Sequence, residues 1–304
     1  MILAAAFVPF LVGGVGARVA RRVATGLPPV AAVALLTTLA ASVAAGCAVV
    51  LLLAGLLALA EVPTAALGHV SVDALRDHVP MPPAVGFAAA AIALLMVLSV
   101  LWHALRLATR AGSIDAATAR LGPAVDNLVI VRDPGALAYA VPGRTPRIVV
   151  STGMLRALSA PERRALLAHE AAHLRYHHQR YVRLGQLAAS ANPLLRPVCR
   201  AIELAVERWA DEIAAREVGD RVLVAHAVAA AALAHRPAPR GALAAAGANV
   251  LDRVRVLLTP KPRRQPVAAA LSAVGAAACW VAALLLADHL DELLELAHRI
   301  SSGG

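Results

Sequence analysis

The stretch "LLAHEAAHLRYHH", Leu166–His178, sets two histidines, His169 and His173, four residues apart, with Glu170 directly after the first. On a helix, residues at this spacing share a face, so both rings can turn a nitrogen toward one ion. Zinc takes nitrogen and oxygen donors at roughly 2 Å, usually four of them. Glu170 stands beside the ligating face, where a carboxylate can hold a water molecule and take its proton. The same pattern also fits a surface helix with two solvated histidines and a glutamate. The apolar flanks "ALLA" and "AAHL" count against that reading, because they set three ionisable groups against buried surface, where they need a partner.

The decisive question is where a third ligand lies. One arrangement needs Gly three residues and His six residues after His173; those positions hold Tyr176 and Gln179. Another needs Glu on a later helix, with Asp four residues beyond it. "VERWADEIAARE" supplies Glu207 and Asp211, the former 34 residues after His173. Glu207 is the expected third ligand. Asp211 is expected to accept the free ring N–H of a metal-bound histidine and so fix its tautomer. Taken alone, the pair reads as a solvated face with Arg208 and Arg216; joined to the histidines, it reads as one site. His177 and His178 read as rim or structural residues. His226, His235 and Arg221 are candidate donors to a transition-state oxyanion, and their spacing does not choose between them.

Local signals around these motifs are legible. Asn127–Arg132 reads as a strand followed by a turn at Asp133–Gly135. Ala138–Val141 and Arg147–Ser151 read as a hairpin around Pro142–Gly143. Its second strand, just before the histidine helix, is placed to be the sheet edge that receives an extended peptide; it also reads as an ordinary core strand, and the two readings can both hold. Ser159, Pro161 and Glu162 mark a helix start that leads into the histidines. Asn192–Pro193 breaks the chain, and a further helix at about Pro197–Val218 ends at Gly219. The apolar run Leu184–Leu195 is too short to span a bilayer; it is open to two readings, resting against the membrane surface or filling a core. More helix is expected from about Val222 to Ala234.

Of the 304 residues, 60% are hydrophobic but only 3% aromatic, and mean hydropathy is +0.69. Long uncharged runs account for the excess and point to membrane spans at about 1–17, 33–57, 85–105 and 266–287. Arg18, Arg21 and Arg22 follow the first apolar stretch, an order that favours a retained span over a cleaved signal peptide. Charge alternates along the chain. Three arginines separate the first two spans, acids predominate between the second and third, and Arg106–Gln265 holds 24 Lys+Arg against 12 Asp+Glu. Basic loops belong on the cytoplasmic side, which puts the central segment 106–265 in the cytosol and both termini outside, with a short extracytoplasmic tail at 288–304.

The net charge of +10 is thereby explained by topology and by anionic lipid beside Lys261, Arg263 and Arg264, so direct nucleic-acid binding is not expected. No span carries Asp, Glu, Lys or Arg in its interior, which argues against a transporter. Cys47, Cys199 and Cys279 stand at unrelated spacings and read as small buried hydrophobes.

Together, "RIVVSTGML…LSAPERRALLAHEAAHLRYHH…VERWADEIAA" between membrane spans resembles the BlaR/MecR-type integral-membrane zinc metallopeptidases. It is also similar to the HtpX-type and CAAX-prenyl-protease group. The likeness covers roughly Asn127–Asp220. It implies Zn2+ held by His169, His173 and Glu207, with Glu170 as general base and Asp211 behind the metal. It also implies a protein or peptide substrate, with a cytosolic winged-helix transcriptional repressor as a candidate. Only 17 residues follow the fourth span, so an extracellular penicillin-sensing domain is not expected. The HtpX-type layout inserts spans between the two zinc helices; the short gap Leu174–Val206 favours the BlaR/MecR side.

The expectation is therefore a mainly α, multi-pass plasma-membrane protein with about four transmembrane helices. A cytosolic α+β zincin-like (gluzincin) domain would carry a small β-sheet and act as a zinc metalloendopeptidase. The contrasting expectation is a non-catalytic membrane signalling or scaffold protein whose zinc is structural.

Overall fold

A computed structural model describes residues 2–59, 82–119, 124–125, 127–143, 145–235, 240–259 and 266–302. The acidic loop expected between the second and third spans, and the cluster Lys261, Arg263 and Arg264, lie outside these residues.

Uninterrupted apolar sequence gives long helices: α1 (Ile2–Gly26), α2 (Pro29–Leu59), α3 (Pro83–Ala119) and, at the end, α10 (Pro266–Ser302). Among the described residues, three helices are long and apolar enough to cross a membrane: Pro29–Leu56, Pro83–Ile114 and Pro266–Asp288. The first expected span falls in α1, which packs along α2 and α10. No breaker follows residue 105 or 287, so α3 runs on to Ala119 and α10 to Ser302, past the expected ends of those spans. Helix α2 packs on α3 at Gly55, where an added Cβ would come within 2.8 Å of Ala90 Cβ; small residues allow helices to approach this closely in a membrane.

The expected strands form as β1 (Leu128–Val131), β2 (Ala138–Val141) and β3 (Arg147–Ser151). β2 and β3 are the expected antiparallel hairpin, with Tyr139 opposite Val149. β1 pairs parallel to the other side of β3, so the order is β1–β3–β2. This corrects the edge reading of Arg147–Ser151 and agrees with the core-strand reading. β3 is the central strand and its polar backbone is taken up on both sides; the edge beside the histidine helix is β2. The burial pattern agrees, since Ile148–Ser151 are all buried.

After α4 (Thr152–Ala157), helix α5 (Ala160–Arg175) begins at the expected signal. The Glu162 carboxylate accepts the Ser159 N–H at 2.8 Å and its Oγ–H at 2.7 Å. Helix α6 (His178–Ala191), a 3-10 turn (Pro193–Leu195) and α7 (Arg196–Val218) follow; α7 ends on Gly219 at φ +77°, a left-handed cap suited to glycine. Helices α8 (Arg221–Ala234) and α9 (Arg240–Leu258) complete the set.

Helix α7 touches α1, α2, α5, α6, α8 and α9 and so organises the fold. Its apolar face, including Val198, Ile202 and Ala205, shares one buried core with Val33, Leu36 and Val43 of α2. The core thus passes without a break from the long apolar helices into α7, which carries Glu207. The histidine helix α5 packs in separate clusters, with Ala165 and Ala168 against Ala214 and Val224, and Leu166 and Leu167 against Val150 and Met154.

Candidate metal centre

The i, i+4 spacing on α5 brings the two Nε2 atoms of His169 and His173 to 3.0 Å from each other. Packing of α7 on α5 brings in Glu207, with Oε2 3.4 Å from His169 Nε2 and Oε1 3.5 Å from His173 Nε2. Donors at roughly 2.0–2.1 Å from a tetrahedral zinc stand about 3.3 Å apart, so the three edges fit one ion of that size. Among the described residues this is the group able to hold a metal, and it offers three ligands.

Both histidines are oriented from behind. His169 Nδ1 lies 3.0 Å from Asp211 Oδ1, leaving Nε2 for a metal. His173 Nδ1 lies 3.2 Å from Nδ1 of His178, so the ring N–H that a metal-bound His173 keeps has an acceptor. His177 adopts φ +51°, in the left-handed region, and this reverses the chain between α5 and α6. His178 is thereby tucked beneath His173 with its ring 4.6 Å from that of Trp209. The two neighbours therefore part company: His177 is exposed, whereas His178 is fully buried and touches an expected ligand.

Arg253 of α9 was not singled out by any motif. Its Nε and Nη2 donate to the two Asp211 oxygens at 2.8 and 2.7 Å, and Nη1 sits 2.9 Å from Glu207 Oε2. Nothing local in "VLDRVRVLL" separates this arginine from Arg255; only the packing of α9 against α7 selects it.

Charges follow the geometry. Burial opposes a proton on His169, but Asp211 and Glu207 outweigh it and raise the imidazole to about 10. Burial lowers His173 to about 4. Burial would raise Glu207 and Asp211, yet Arg253 beside them holds both below the ordinary carboxylate range. Burial lifts Glu170 above that range, partly offset by a hydrogen bond from the Ala140 backbone of β2. A carboxylate raised in this way is the better proton acceptor near neutrality.

The cluster opens on a cavity of about 760 Å³ whose wall includes Met154, Leu166, Val224, Val228 and Val254. His235 is on that wall, its Nδ1 2.9 Å from Ala136 O. Arg221 is committed elsewhere, donating to the Val256 and Leu257 carbonyls at the end of α9 and to Glu212, and His226 is exposed. Of the three oxyanion candidates, all among the described residues, His235 alone lines this cavity, and that position by itself assigns it no role.

The arrangement is one that can hold a single metal ion beside a buried carboxylate. The model of a family described as Peptidase family M48 matches residues 109–184, which include the strands and the helix of His169 and His173 and stop short of Glu207. The match supports a zinc metallopeptidase of the M48 type. No curated protein and no solved structure matches the chain.

Proposed function

We propose that the chain is a membrane-embedded zinc endopeptidase in which His169, His173 and Glu207 hold the metal and Glu170 is the general base. The observation that carries this reading is the triangle of donor atoms with edges of 3.0, 3.4 and 3.5 Å, one residue from a buried carboxylate. Bound zinc would supply Lewis acidity toward a water molecule and a peptide carbonyl. Glu170 takes the proton from that water and passes it to the leaving amine. Asp211 holds the His169 tautomer, His178 holds His173, and Arg253 anchors Asp211 and Glu207. Apolar walls exclude bulk water and so strengthen each of these contacts. An extended substrate would lie along the β2 edge, next to Glu170. A structural zinc site is closed by four protein ligands; three ligands at the mouth of a cavity support catalysis instead.

The finer reading is a regulatory protease of the BlaR/MecR kind, working on a protein substrate such as a cytosolic repressor. The short connection between the zinc helices supports it. The domain would be residues 106–265, on the cytosolic face of a plasma membrane, with both termini outside; the excess of arginine in that segment supports this orientation. The test is cleavage of a fluorogenic peptide library by the purified full chain, beside Glu170→Gln. That variant should retain one zinc per chain by metal analysis and lose activity by about 10²–10⁴-fold. Equal turnover by the two proteins would overturn the assignment.

A further inference from the structure

We infer that the turn Pro193–Leu195, between α6 and α7, is inserted into the lipid leaflet on the zinc-site side, with arginines around it on anionic phospholipid headgroups. This rests on reading α2, α3 and α10 as membrane spans.

The contacts fix the depth. Ser99 Oγ of α3 donates to the Ser190 carbonyl at 2.9 Å, and Asn192 Nδ2 lies 3.6 Å from Cys47 Sγ of α2. Ser99 and Cys47 both lie inside segments apolar enough to cross a membrane. The tip of the hairpin is therefore level with the interior of the bundle, whereas twelve residues at roughly 1.5 Å each carry α7 roughly 18 Å from Leu195 to Glu207.

Two exposed tryptophans stand on the long apolar helices. Trp102 follows Ser99 by one turn, is 60% exposed, and has Arg106 stacked 4.6 Å above its ring. Trp280 is 54% exposed and its Nε1–H donates to Ser42 Oγ, five residues before Cys47.

Non-helical backbone survives at membrane depth only if its polar groups are met within the protein. Here they are. Buried Asn192 accepts the Leu194 N–H on Oδ1 at 3.0 Å, and the Leu195 N–H donates to the Asn192 carbonyl at 2.9 Å. What remains uncovered is apolar: Pro193 is exposed and Leu194 is 54% exposed. Exposed Arg196 and Arg200 follow it directly, exposed Arg180 and Arg183 stand at the far end of α6, and no Asp or Glu lies from His178 to Arg200. Long arginine stems can lie along the acyl boundary while the guanidinium groups reach phosphate.

The test places a nitroxide at Leu194→Cys in the full chain, since Cys47, Cys199 and Cys279 are buried. Leu95→Cys on α3 serves as the lipid control and exposed Arg216→Cys as the water control. The chains go into phosphatidylcholine vesicles with and without phosphatidylglycerol. Collision with oxygen should exceed collision with a nickel chelate several-fold at 194 and 95, and the order should invert at 216. If 194 behaves like 216 while 95 reads lipid, the insertion is wrong; if 95 also reads water, the span reading itself fails and the insertion with it. Phosphatidylglycerol should deepen the label at 194, and Arg196→Glu with Arg200→Glu should abolish that response. A label indifferent to phosphatidylglycerol in the unaltered arginine background would overturn the headgroup contact.

Discussion

Arg253 grips Asp211 with two parallel hydrogen bonds of 2.8 and 2.7 Å, in a place where Asp211 is only 1% exposed. A buried carboxylate at this spot needs a cation, and a planar guanidinium meets both of its oxygens at once. The same guanidinium reaches Glu207, so one residue of α9 sets the position of two carboxylates on α7.

Arg253→Ala is expected to leave Asp211 buried and unpaired, at a cost of about 3–5 kcal/mol. Zinc affinity should also fall by about 10–100-fold as Asp211 loses its hold on His169. Thermal unfolding and competition with a chromogenic chelator measure the two effects. Unchanged values in both would remove Arg253 from the site. Arg253→Lys should recover part of the stability but less of the affinity, because a point charge cannot form the fork.

His178 should matter through its nitrogen more than its bulk. His178→Phe retains an aromatic ring against Trp209 but removes the acceptor 3.2 Å from His173 Nδ1. Zinc affinity is predicted to drop about 10-fold or more in this variant. Normal affinity in His178→Phe with a loss in His178→Ala would mean that the ring only fills space.

Removing the metal should abolish cleavage and lower the melting temperature, since a ligand bound only to the folded chain stabilises it by about 2.7 kcal/mol at a hundredfold excess over Kd. Zinc added back should restore both. A chelator-treated protein that still cleaves, with zinc shown absent by metal analysis, contradicts the metal-dependent reading.

Arg208 is fully buried next to Glu207 and donates from Nη1 to the carbonyls of Ala24 and Leu27, at the end of α1. Arg208→Met removes the donor and leaves carbonyls of the α1–α2 turn unmet, at about 1–3 kcal/mol. The melting temperature of detergent-solubilised protein should fall accordingly. A Met variant as stable as the parent would show that water or detergent reaches this turn.

Much of the site was legible because its parts are local. The i, i+4 rule sets His169 beside His173 and Glu207 above Asp211 whatever the rest of the fold does, and Ser159 with Glu162 starts the helix where expected. The strands at Leu128–Val131, Ala138–Val141 and Arg147–Ser151 were equally plain from alternation and turns. What no local rule contains is which side of β3 receives β1. A hairpin looks the same from its own sequence whether or not a parallel strand covers its far edge. The reversal at His177 that buries His178 under His173 is also invisible, since histidine has no strong preference for φ +51°. Arg253 lies 42 residues beyond Asp211 on another helix and is one arginine among 28. Sequence periodicity decides which residues share a helix face; only packing, which sums many weak contacts over the whole chain, decides which faces meet, and with them the partners behind the metal.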